Sequence, residues 1–329
     1  MNDVNDKYII VKNLKKYFNT KRGRLHAVDD VSFEIKKGET LGLVGESGCG
    51  KSTLGRCLIR LLDSTSGEVL LKNKDNDSYV DVTKVSASEM KALRKRVQIV
   101  FQDPYSCLNP RLSVWELIAE PLIVNNIYAK SADMRRRIRE LMDTVGLAER
   151  LENSYPHELD GGRRQRIGIA RSLALNPEFI VLDEPVSALD VCIQAQILNL
   201  LNSLQKEFNY TYVFISHNLS VVRHVSDRIA VMYLGQIVEL CEYQDLFKSP
   251  LHPYTQALLS AIPLAKLDVK RERIILEGDV PSPIEPPNAC RFAGRCRYAC
   301  DKCRQGAPEL KEHEPGHFVA CYRAGELNN

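Results

Sequence analysis

Gly45-Glu46-Ser47-Gly48-Cys49-Gly50-Lys51-Ser52 has the spacing G-x4-G-K-[ST]. Glycines placed this way let backbone N–H groups turn inward around phosphate oxygens. Lys51 can then reach the β- and γ-phosphates, and Ser52, with Thr53 beside it, can offer a hydroxyl to Mg2+. A second reactive group ends the apolar run Phe179-Ile180-Val181-Leu182, where Asp183 and Glu184 follow. A carboxylate at a strand's C-terminal edge suits hydrated Mg2+, the role expected of Asp183. Glu184 would orient or deprotonate the attacking water. Gln102, after Val100-Phe101, is placed to sense metal or water, and His217, after Tyr212–Ser216, to bond a γ-phosphate. Leu159-Asp160-Gly161-Gly162-Arg163 opens a helix whose N–H groups can face an anion. Ser187-Ala188-Leu189-Asp190 comes directly after the acidic pair and Pro185-Val186.

The tail holds a different kind of chemistry. Of ten cysteines, Cys49, Cys57, Cys107, Cys192 and Cys241 are scattered, while Cys290, Cys296, Cys300, Cys303 and Cys321 crowd together. Clustered thiols without a secreted-disulfide pattern point to metal binding. Cys290, Cys296, Cys303 and Cys321 provide four thiolates. They would suit tetrahedral zinc, commonly held by paired C-x2-4-C knuckles, or a [4Fe–4S] cluster, whose spacings are looser. Only Cys300-x2-Cys303 resembles a knuckle and no second one faces it, so both readings stand. His313 and His317 read as surface or packing residues. Cys49, inside the glycine-rich loop, predicts that thiol alkylation blocks activity and that bound nucleotide protects.

These groups need rigid carriers. Thr40–Val44, Val97–Phe101, Phe179–Leu182, Tyr212–Ile215 and Ile229–Tyr233 are short, continuously apolar and rich in β-branched residues. That pattern predicts strands buried on both faces, in a helix-covered parallel sheet. Asp190 is a good N-cap for a helix carrying Ile193, Ile197, Leu200, Leu201, Leu204 and Phe208 on one face. Residues from about 104 to 175 are helix-rich, with no clear strand, and read as a helical insert in an α/β core. Prolines interrupt the chain after about Leu246. With 329 residues there is room for about two domains. Lys+Arg exceed Asp+Glu only 45 to 42, which is no nucleic-acid footprint. No apolar run is long enough to span a membrane, and the start of the chain does not read as a signal peptide. The expectation is a soluble chain that stays in the compartment where it is made and that, if it serves a membrane process, does so by docking on other subunits.

In order, these motifs resemble those of the ABC-transporter ATPase family over residues 9–245. The resemblance implies an ABC-type P-loop NTPase: a RecA-like core with an antiparallel β-subdomain and a helical subdomain. It implies the catalytic roles given above for Gln102, Glu184 and His217, with Ser52, Gln102 and Asp183 serving Mg2+. It also implies that Tyr17 stacks on adenine, with Phe18 as fallback. Residues Leu159–Arg163 would be the signature that completes a partner's ATP site, and Ser187–Asp190 the D-loop. Phe101-Gln102-Asp103-Pro104-Tyr105, Cys107–Arg111, Pro250–Thr255 and Gly278–Pro283 are similar to the dipeptide/oligopeptide permease branch. That branch implies a second ATPase subunit forming a heterodimer, two transmembrane permease subunits docking near the segment after Gln102, and, indirectly, an extracytoplasmic peptide-binding protein. It places the chain peripherally at the cytoplasmic face of the membrane. Its members' carboxy-terminal iron–sulfur motif matches Cys290, Cys296, Cys303 and Cys321 with the ending Gly316-His317-x-Val319-Ala320-Cys321. The expected division is a nucleotide-binding domain, 1–245, and a cysteine-rich extension, 246–329. Alternatives are a soluble ABC ATPase acting on nucleic acid, or an importer of a non-peptide solute such as a metal chelate.

One departure stands out. The family signature reads Leu-Ser-Gly-Gly-Gln; here Asp160 replaces the serine and Arg163 the glutamine. An ionised Asp cannot donate to a γ-phosphate. It would oppose the triphosphate by about 4 kcal/mol per charge pair at about 4 Å and an effective dielectric near 20, before relaxation. The expectation is one weakened composite site, partly offset if Arg163 pairs with Asp160.

Overall fold

The computed structural model describes residues 7–74, 76–128, 130–262 and 273–326. It forms two compact units, one from Met1–Lys84 with Ser216–Asn329 and the other from Val85–Ile215.

In the first unit, two long strands, β1 (Lys7–Thr20) and β2 (Gly23–Lys36), pair antiparallel. The doubly buried β3 (Thr40–Val44) leads through the glycine-rich loop into α1 (Lys51–Leu58). β4 (Ser66–Lys72) and β5 (Tyr79–Asp81) complete an antiparallel sheet ordered β2-β1-β4-β5.

The second unit runs α2 (Ala87–Leu93), β6 (Val97–Val100), α3 (Pro104–Cys107), α4 (Val114–Val124), α5 (Ser131–Thr144) and α6 (Gly161–Leu173). It ends with β7 (Phe179–Asp183), α7 (Val191–Phe208) and β8 (Thr211–Ser216). β6, β7 and β8 are parallel, with β7 central and every residue of it buried. Covered on both faces, these strands read as continuous apolar runs.

The chain then returns to the first unit with α8 (Leu219–Val225), β9 (Arg228–Tyr233) and β10 (Gln236–Glu242). α9 (Tyr243–Lys248), α10 (Pro253–Ser260), α11 (Asp301–Gln305), β11 (Lys311–Glu314) and β12 (His317–Val319) follow. β3 pairs in parallel with β9, and β9, β10, β12 and β11 continue antiparallel. The tail therefore adds a hairpin to the sheet that carries the glycine-rich loop. Among the described residues no helix is long and apolar enough to cross a membrane.

Candidate functional site

The loop between β3 and α1 takes a shape that its glycines make possible. Gly45 lies at φ 155° and Gly50 at φ 107°. A Cβ at Gly45 would fall 2.1 Å from the Met232 carbonyl oxygen, and one at Gly50 2.0 Å from that of Ala27. No L side chain fits either place. Gly50 is also the N-cap of α1 and makes no side-chain cap bond, so a helix start with positive dipole character faces the loop. Lys51 is only 5% exposed. It donates to the carbonyls of Gly45 and Glu46, both at 2.9 Å, and lies 3.8 Å from Cys49 Sγ. Ser47 and Gly48 are exposed at the mouth, while Ser52 and Thr53 are half-buried on the first turn. Burial pushes the Cys49 thiol above its ordinary range, against the pull of Lys51. His217 is exposed immediately after β8.

Tyr17 is half-buried. Its ring stacks on His26 with centroids 4.0 Å apart, and its hydroxyl donates to Asp29. Burial draws the Asp29 carboxyl upward, but bonds from Tyr17 and His26 and the charge of Arg291 hold it below the usual range. Phe18 is 37% exposed, with the Lys16 ammonium 4.9 Å from its ring centroid.

In the second unit, Asp183 ends β7 fully buried and Glu184 follows at φ 48°. A positive φ in a non-glycine residue costs energy and is held only by its surroundings. Here the Glu184 N–H donates to Ile215 O at 3.0 Å, and its carbonyl accepts from Ser187 Oγ at 3.1 Å. Gln102 Nε2 donates to Glu184 Oε2 at 3.0 Å, so two residues far apart in sequence share one polar centre. The signature residues open α6. Leu159 and Gly162 are buried, Gly161 is half-buried, and Asp160 and Arg163 are exposed. Asp160 caps the helix itself: Oδ1 accepts from the Arg163 N–H at 2.8 Å and Oδ2 lies 3.5 Å from the Arg163 guanidinium. The expected pairing of these two residues is present, together with a backbone cap that the motif alone did not reveal. Asp190 caps α7 through Ile193 N at 3.0 Å. Ser187 and Ala188 are exposed, and Leu189 is half-buried. In the segment after Gln102, Tyr105 is 68% exposed under the Arg164 guanidinium, 3.6 Å from its ring centroid.

In the tail, Cys290, Cys296, Cys303 and Cys321 line one small cavity with His252 and Phe292. Burial pushes the Cys290 and Cys321 thiols up to about 11. Thiolates are the form that ligates metal, so the four sulfurs lining this cavity are donors of the right chemistry, although among the described residues no three of them lie within 4.8 Å of one another. Cys300 Sγ lies 3.6 Å from Cys303 Sγ. His313 is exposed, whereas His317 is buried, with Nε2 2.8 Å from Glu239 Oε1. Glu239, Cys241 and His317 bring their polar atoms within 4.8 Å of one another, a cluster the sequence did not signal. The carboxylate of Glu239 also accepts from Leu251 N at 2.7 Å and His252 N at 3.1 Å. It anchors the tail hairpin and the start of α10.

The family model described as "ABC transporter" matches residues 28–187, and that described as "Oligopeptide/dipeptide transporter, C-terminal region" matches 238–303. The chain is 52% identical over 322 residues to the oligopeptide transport ATP-binding protein AppF of Bacillus subtilis (strain 168), covering 95% of this chain and 96% of that one. It is 48% identical over 315 residues to the oligopeptide transport ATP-binding protein OppF of Haemophilus influenzae, covering 95% and 93%. Among solved structures, a dimeric post-hydrolysis state of the ATP-binding cassette MJ0796 bound to ADP and Pi superposes with a TM-score of 0.63 at 30% identity, covering 71% of this chain and 98% of that one.

Proposed function

This chain belongs to the ABC-transporter family of ATP-binding proteins, in its oligopeptide-transport branch, and on that premise we propose that it hydrolyses ATP to drive import of di- and oligopeptides. The observation that carries this reading is Lys51, a buried ammonium satisfied by two carbonyls of its own loop. Phosphate oxygens can replace those carbonyls without any new desolvation of the lysine.

In this reading the first unit binds nucleotide. The loop N–H groups and Lys51 hold the phosphates, Ser52 takes Mg2+, Tyr17 faces adenine and His217 bonds the γ-phosphate. Asp183 serves Mg2+ and Glu184 the attacking water. Gln102 fixes the Glu184 carboxylate and senses the metal. Glu184 accepts the proton as water adds to the γ-phosphorus and the bond to the β-bridging oxygen breaks. A second ATPase subunit completes each site through the signature and D-loop, and two permease subunits couple closure to transport. The chain then sits peripherally at the cytoplasmic face of the membrane, with 1–245 as nucleotide-binding domain and 246–329 as extension. Asp160 makes its signature the poorer half-site.

Cys290, Cys296, Cys303 and Cys321 are proposed to hold a [4Fe–4S] cluster, with zinc as the competing occupant. When bound, such a group supplies a cross-link for a proline-broken tail with little core of its own. Iron and acid-labile sulfide analysis of anaerobically purified protein distinguishes the two: zinc without sulfide overturns the cluster.

The decisive experiment reconstitutes the subunit with its permease in vesicles and measures ATP turnover and peptide uptake. Lys51→Ala is expected to abolish both, and retention of either overturns the assignment.

A further inference from the structure

Glu46 is an awkward residue for a phosphate-binding loop, because it puts a carboxylate into a stretch whose N–H groups are meant for anions. All three of its polar groups are held. Its N–H donates to the Tyr254 hydroxyl at 2.9 Å, and its carbonyl accepts from Lys51 Nζ at 2.9 Å. Its carboxylate meets Arg295 in a fork, Nη1 to Oε2 at 3.0 Å and Nη2 to Oε1 at 3.4 Å. The two side chains are 10% and 29% exposed, so water screens this pair less than a surface one.

Arg295 belongs to the cysteine tail. The short stretch from Cys290 to Cys296 is folded on itself by Ala293 N to Cys290 O and Arg295 N to Phe292 O, each at 3.0 Å. It is pinned by Phe292, 2% exposed, which packs on Tyr233 and Tyr254 at centroid distances of 5.3 and 5.5 Å. The same stretch sends Arg291 to Asp29, the acceptor for Tyr17, and to the Leu234 carbonyl. One segment therefore grips the loop at Glu46 and the Tyr17–Asp29 pair, and its two end cysteines line the thiol cavity.

We propose that this segment is a positioning strap for the nucleotide loop, in which Arg295 neutralises Glu46 and turns its carboxylate away from incoming phosphate. A planar guanidinium meets both carboxylate oxygens at once, fixing direction as well as charge. The proposal rests on the reading of residues 45–52 as the nucleotide loop and adds a positioning residue that the glycine-rich motif does not contain.

The test is equilibrium binding of a fluorescent ATP analogue with Mg2+ to the full chain. Arg295→Ala is expected to weaken binding about fivefold to tenfold, the scale of a partly desolvated charge pair. Arg295→Lys, which keeps the charge but loses the fork, should fall between Arg295→Ala and the unaltered chain. Removing the stranded carboxylate as well, in Arg295→Ala/Glu46→Gln, should recover binding to within about threefold. A merely structural Arg295 would not be rescued by deleting its partner. Unchanged binding in folded Arg295→Ala, or a double variant as weak as the single, overturns the strap. If Arg295→Ala does not fold, Glu46→Gln alone decides: it should bind nucleotide at least as tightly as the unaltered chain, and weaker binding overturns the proposal. An unaltered chain that binds no nucleotide would instead refute the loop reading, and the strap with it.

Discussion

At the start of α1, Gly50 sits at φ 107° with no side chain to offer, whereas at the start of α6 Asp160 turns its carboxylate onto the Arg163 N–H at 2.8 Å. Both helix starts are glycine-rich, and both bring first-turn N–H groups and the positive end of a helix dipole toward the chain before them. The first leaves that end available to an anion. The second has already supplied one, and the nearby guanidinium at 3.5 Å, with both side chains about half exposed, stabilises it by less than about 1 kcal/mol. Two similar motifs therefore differ in kind: one is an open cradle, the other a cap closed from within.

The largest expected effect comes from closing the open end. In Gly50→Ala the new Cβ must displace the Ala27 carbonyl 2.0 Å away, and alanine must adopt φ 107°. Together these should cost about 3 kcal/mol or more and abolish nucleotide binding, read by thermal unfolding and by titration. The matching change at the other helix, Gly161→Ala, meets only Leu189 Cδ2 at 3.1 Å and has no positive φ to satisfy. It should cost about 1 kcal/mol or less. Equal losses would break the contrast. The next effect separates binding from chemistry. Glu184→Gln removes the carboxylate proposed to orient water and should lower kcat about a hundredfold or more, while nucleotide Kd stays within about twofold. A parallel rise in Kd would assign Glu184 to holding nucleotide.

A smaller effect is one of access. Cys49, in the open loop, is 4% exposed with a thiol raised by burial, while Cys192, on α7 just after the Asp190 cap, is exposed. Alkylation should reach Cys192 about tenfold faster or more, followed by peptide mass analysis. The expected block of activity through Cys49 is therefore slow, and rapid modification of Cys49 would mean that the loop opens readily.

What the sequence made legible follows from how local each signal is. β3 and β7 are short runs buried on both faces, and the Asp190 cap sits against its helix, so each announces itself within a few residues. The long pair β1 and β2 does not. Its register slips between Val11 and Leu14 and again before Lys16, and Asn13 and Asp30 take positive φ. Alternation is broken where it would have been read. That sheet was expected only through family resemblance. The tail hairpin is harder still, since Lys311–Glu314 is entirely exposed and polar, and it exists because β12 pairs with β10. His317 was ambiguous between surface and core because its partner, Glu239, lies 78 residues away. Arg291 and Arg295 reach Asp29 and Glu46 across 262 and 249 residues. No spacing rule spans such gaps, so the motif residues were readable and their supports were not.

The finest distinction concerns whether Asp160 acts as a cap or as a charge. Serine caps a helix about as well as aspartate, so Asp160→Ser should leave the unfolding midpoint of the subunit nearly unchanged. It removes the carboxylate and restores a donor toward phosphate. If the proposed pairing with a second ATPase subunit holds, turnover of the assembled transporter should then rise by up to about twofold, because one of two composite sites is at stake. Asp160→Ala removes both cap and charge and should cost about 1 kcal/mol of stability. If alanine raises turnover as serine does, the charge alone was inhibitory. If only serine does, the missing hydroxyl donor was the defect. If serine changes nothing, the closed cap does not oppose nucleotide, and the two helix starts differ in form but not in competence.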